Sequence, residues 1–103
     1  MKSNVFKIKE GKTQQWKDWC VKLNTIYRTE AIETLKEEKV TQEAFFFFTI
    51  NNQDYTMSMV DGEALPSTTT RELNIEHRKN YKECLEKVST VEVLYHLKLD
   101  DLV

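Results

Sequence analysis

Two histidines, two cysteines, two tryptophans and four tyrosines are the side chains of this chain whose chemistry could reach beyond packing. His77 stands four residues from both Leu73 and Tyr81, on what reads as the inner stripe of a helix. Its ring admits two roles. It can pack beneath a sheet with a nitrogen on a backbone carbonyl, or act as base or ligand donor in a helix–sheet pocket, where a near-neutral pKa suits proton transfer. His96 shares one face of an alternating segment with Glu92, and Lys7 is the third polar group that could join them. Trp16, Trp19 and Tyr27 recur at helical spacing, which serves either to fill a core or to line an aromatic cavity. The catalytic candidates are therefore His77 and His96. The ligand-binding candidates are Trp16, Tyr27, His77, Tyr81, Glu92 and His96.

Composition removes several function classes. Fifteen basic residues against seventeen acidic ones leave a net charge of −2, without the electrostatic footprint of a nucleic-acid or anionic-lipid binder. Two glycines, Gly11 and Gly62, cannot build a P-loop or a dinucleotide fingerprint. Cys20 and Cys84 match no metal or haem spacing, and no two histidines stand at ligand distance along the chain, so neither metal nor cofactor is expected. Both thiols read as small buried hydrophobes in a reducing compartment. The start of the chain lacks an apolar leader and no stretch approaches the length of a membrane helix, so a cytoplasmic location is expected. The length of 103 residues, 40% of them hydrophobic, suits a single domain over residues 1–103 with one modest core.

The elements that must position these side chains follow from periodicity. Residues 4–9 alternate, with Phe6 and Ile8 on one side and Val5, Lys7 and Lys9 on the other, as in a half-buried strand. Apolar residues from 12 to 39 recur at helical spacing, with a break expected near residues 24–29, where propensity is weakest. Val40–Ile50 is rich in β-formers and forms a second strand; residues 51–54 turn the chain, and residues 55–60 return as a hairpin partner. Residues 64–70 make a loop. Thr69 and Glu72 have capping-box spacing, with Asn74 a rival start, and the helix that follows reaches about Val88. A fourth strand is expected over residues 91–99, followed by a short acidic tail at 100–103.

The order β-α-β-β-α-β predicts an α+β, ferredoxin-like fold, with a four-stranded antiparallel sheet and helices on one face. In that arrangement the first and fourth strands are expected to be separated, which ranks Glu92 with His96 above a triad including Lys7. Phe45 to Phe48 are consecutive, so a strand sends two of these rings to each face. With Val5 and Leu94 they leave the helix-free face too apolar for water, each buried ring or leucine being worth roughly 1.5–3 kcal/mol. A second copy laid face to face encloses that surface, so the chain itself is the expected partner. The aromatics also invite an RNA-binding reading, but the basic-Gly-aromatic signature and the basic balance are absent.

The strand and helix order, the first helix with Trp16 and Trp19, the aromatic second strand, and the segment Asn74, Ile75, Glu76, His77, Arg78 together resemble the dimeric α+β barrel superfamily. Within it they resemble a small bacterial family of unknown function, over roughly residues 4–98. The resemblance implies shape more than chemistry, because the superfamily holds cofactor-independent monooxygenases, haem-degrading enzymes, a mutarotase and ligand-sensing domains. Two functions are carried forward: a module binding a small, partly apolar molecule, and a cofactor-independent enzyme of monooxygenase, isomerase or mutarotase type acting on a small organic substrate.

Overall fold

The computed structural model describes residues 1–102. The elements run β1 (Lys2–Ile8), α1 (Thr13–Asn24), α2 (Arg28–Glu37), β2 (Val40–Ile50), β3 (Gln53–Gly62), α3 (Glu72–Cys84) and β4 (Leu85–Val91), with a 3₁₀ turn at Leu99–Asp101. The four strands form one antiparallel sheet in the order β2-β3-β1-β4.

The expected helical break falls at residues 25–27, where Thr25 bonds back to Val21 through its hydroxyl and the next helix restarts from Tyr27. Asn51 and Asn52 turn the β2–β3 hairpin with φ of 50° and 65°. This is the left-handed pair that suits the twist of the flanking strands, and asparagine tolerates it. Thr13 and Thr49 both donate to Asp54, at 2.6 and 2.8 Å, tying the start of α1 to the hairpin.

One sheet face carries the core. Phe6 and Ile8 of β1 meet Trp16 and Trp19 of α1, Leu73 and Cys84 of α3, and Leu85 of β4. The phenylalanines divide as alternation requires. Phe45 packs edge-on to Trp16 at 5.5 Å and Phe47 lies under the Lys17 ammonium, while Phe46 pairs with Met57 and Phe48 stacks on Tyr55 on the opposite face.

Three expectations are corrected. The last helix ends at Cys84 rather than near Val88, and β4 occupies Leu85–Val91 rather than residues 91–99. Helix passes into strand without a loop: Leu85 already has extended angles, and Lys9 donates its backbone N–H to the Cys84 carbonyl at 2.8 Å. Second, β1 and β4 are direct neighbours, with Lys7 opposite Glu86. Third, the N-cap of α3 is Arg71, and no side chain caps it; Asn74 instead donates to the carbonyl and hydroxyl of Thr68, fastening the preceding loop. Of the tail expected at 100–103, Val103 lies outside the described residues.

Candidate functional site

On the core side, α3 does not cover the β2–β3 half of the sheet, and a cleft of about 410 Å³ remains between them. His77, Arg78, Tyr81 and Lys82 face it from α3, one helical turn apart, as i, i+4 spacing dictates. Glu43 and Phe45 reach it from β2, Ser58 and Val60 from β3, and Asn4 from β1. These strand residues share a face because the register places Asn4 opposite Ser58, and Ser58 opposite Phe45. One wall is aromatic, and the others hold carboxylate, amide, hydroxyl and cationic groups.

His77 is fixed from behind. Its ring lies 6.0 Å from that of Trp19, 6.5 Å from Trp16 and 5.6 Å from Tyr81. The Trp19 indole N–H donates to its Nδ1 at 2.9 Å. An indole nitrogen only donates, so Nδ1 must present a lone pair, and neutral His77 carries its proton on Nε2. Nε2 has no hydrogen-bond partner within the protein, and since no fully buried side-chain nitrogen or oxygen lacks one among the described residues, it is accessible from outside, on a ring that lines the cleft. Burial holds the pKa of His77 below the usual histidine value, and the charge of Arg78 pushes in the same direction. The ring is therefore a neutral hydrogen-bond donor at pH 7.

Burial pushes the Tyr81 phenol above its ordinary range, with the negative charge of Glu43 adding to the shift. Glu43 is raised in turn, first by the protein around its carboxyl and then by Glu38. Arg78 donates to the carbonyls of Ser67 and Thr68 at 3.3 and 2.5 Å, so its guanidinium holds the 64–70 loop beside the cleft.

Of the residues singled out by pattern, the cleft brings together His77 and Tyr81. Trp16 is 2% exposed and stands behind them as core. Tyr27 packs against Trp19 at 6.0 Å, at the α1–α2 turn and outside the cleft. Glu92 and His96 are not on a strand; both lie in the exposed segment that follows β4. His96 instead approaches Asp61, where its charge helps to lower the carboxyl's pKa after the hydrogen bond from Gln42. Asn4, Glu43, Ser58, Arg78 and Lys82 escaped the pattern. Glu43 was within reach of it, because period two places Glu43, Phe45 and Phe47 on one face.

Both thiols are free, and burial raises each of them, Cys20 to about 11, so neither is a nucleophile at neutral pH. A second groove of about 350 Å³ between α1 and α3 is walled mainly by polar side chains, including Gln14, Asp18, Lys22 and Glu76. No helix among the described residues is long and apolar enough to cross a membrane.

A family model described as a family of unknown function (DUF6176) matches residues 2–101. The chain belongs to this family. No curated protein and no solved structure matches it. Membership covers the sheet, the three helices and every cleft residue, and it assigns no chemistry to them.

Proposed function

We propose that the protein is a small-molecule-binding module whose ligand occupies the cleft between α3 and the sheet, within a face-to-face homodimer of ferredoxin-like subunits. The observation that carries this is the meeting of His77, Tyr81 and Glu43 around one concave, partly apolar volume of about 410 Å³, a size that suits a small organic ligand. The order β2-β3-β1-β4 with helical cover on one side supports the ferredoxin-like description. Phe46, 48% exposed on the helix-free face beside Met57 and the Phe48–Tyr55 stack, supports the dimer. Free cysteines accord with a cytoplasmic setting.

One observation favours a second reading, a cofactor-independent enzyme. A carboxylate with a raised pKa, Glu43, shares the cleft with a neutral histidine donor, the pairing that moves a proton beside a carbonyl. This points to isomerase or mutarotase chemistry before oxygen chemistry.

Ligand-observed NMR with a set of small aromatic acids, phenols and ketones tests the binding site. Hits should bind the native chain and be lost from Val60→Phe, whose ring plugs the cleft. An absence of hits, or hits retained in full by the plugged variant, would overturn the proposal. Turnover of any hit that disappears in Glu43→Gln while binding persists would identify the enzyme.

A further inference from the structure

We infer that the cleft selects ligands bearing a carbonyl or carboxylate oxygen, held by the Nε2 proton of His77, and that Trp19 is the positioning residue that keeps the proton on that nitrogen. The inference rests on the cleft being a ligand site and adds the class of ligand and the division of labour behind it.

The geometry is directional. Trp19 Nε1 lies 2.9 Å from Nδ1 and can only donate, so the lone pair of the imidazole is occupied on the core side. The remaining nitrogen, Nε2, is then a donor and not a base, and a ligand group that meets it must accept. A hydroxyl or amine could sit against Glu43 instead, but it gains nothing at Nε2 that water does not supply. Arg78 and Lys82 follow His77 along α3 and bias the same wall toward an oxygen with negative character, while the opposite wall holds the one carboxylate of the lining, Glu43. Phe45, Tyr81 and Val60 give the remainder of the ligand an apolar surface. Trp19 is 4% exposed and is no part of the cleft lining, so its effect on the ligand passes through His77.

Two arms test this on the full chain. In the first, long-range ¹H–¹⁵N correlation spectra of the histidine-labelled protein read the tautomer directly. His77 should show a protonated Nε2 and a pyridine-like Nδ1, and Trp19→Phe should release the ring into a mixture of tautomers, an effect that loss of packing alone does not produce. In the second, acetophenone and benzoate are compared with cumene, which has a similar shape but no oxygen. At least one oxygen-bearing probe should bind about tenfold or more tighter than cumene and displace the Nε2 resonance, with the margin narrowing in Trp19→Phe. The better of the two separates carbonyl from carboxylate as the source. A native tautomer protonated on Nδ1, or cumene binding as tightly as both others, would overturn the inference while leaving the ligand site standing. Failure of all three probes to bind would overturn the ligand site itself.

Discussion

At the scale of single residues, His77 couples the cleft to the stability of the fold. Its pKa is lowered in the native state, so the unfolded chain takes up the proton first as pH falls. Stability is full above the ordinary value of 6.5 and is lost on acidification from there to the depressed native value. The loss is about 1.4 kcal/mol for each unit by which the two differ. Glutamine at this position keeps an acceptor for Trp19 but does not titrate. Urea unfolding of His77→Gln between pH 8 and 5 should therefore lack this component of the slope. A slope unchanged from the native chain would show that the imidazole is protonated in the fold at no cost. Asp54 and Asp61, both lowered by hydrogen bonds, act in a separate window, losing their contribution only below 3.8. His77 and Tyr81 were legible in the sequence because i, i+4 spacing survives into any helix. Trp19 as the partner of His77 was not, since 58 residues separate the two and only the packing of α1 on α3 joins them.

Among the elements, Arg71 links helices that local pattern treats as independent. Glu30, Glu33, Glu37 and Glu38 with Lys36 and Lys39 have the spacing of a solvated helix face. In the fold Glu30, Glu33 and Glu37 converge on the guanidinium just before α3, with Glu37 making the closest contact. Arg71→Ala leaves three like charges together at i, i+3 and i, i+4 spacing, which is destabilising. Its melting temperature should fall relative to the native chain, with the deficit shrinking as salt screens the repulsion; a deficit indifferent to salt would mean that the arginine acts through packing alone. The displaced fourth strand has an equally local cause. Leu85 and Val88 continue the apolar stripe of α3, and residues 91–99 alternate, so periodicity reads helix to about Val88 and then strand. What decides is that β1 offers one edge of six paired residues, Ser3 to Ile8, and Leu85–Val91 reaches it first. Val88, Thr90 and Val91 are β-branched, poor helix formers and good strand formers, which lowers the cost of ending α3 at Cys84. The alternating residues beyond are left with no strand to pair with.

For the molecule as a whole, that unpaired segment and the helix-free face belong to one problem. Leu94, Tyr95, Leu97, Leu99 and Leu102 are each at least 80% exposed. The radius of gyration is 14.6 Å, against about 13 Å for a compact chain of this length. The proposed second copy, in a two-fold arrangement, would cover both the apolar segment and the apolar sheet face. Light scattering should give twice 12.2 kDa for the native chain, and Phe46→Glu combined with Met57→Glu should reduce it to the single mass without unfolding it. A native chain that stays at the single mass across the micromolar range would remove the dimer and leave the cleft untouched, because the two lie on opposite faces of the sheet. That separation makes the cleft testable by itself. The most direct measurement is a ¹H–¹⁵N titration of the native chain with the tightest fragment found. The resonances of Asn4, Ser58, His77 and Tyr81 should move together and saturate at one affinity, and shifts confined to the face carrying Phe46 and Met57 would contradict the assignment of the cleft as the ligand site.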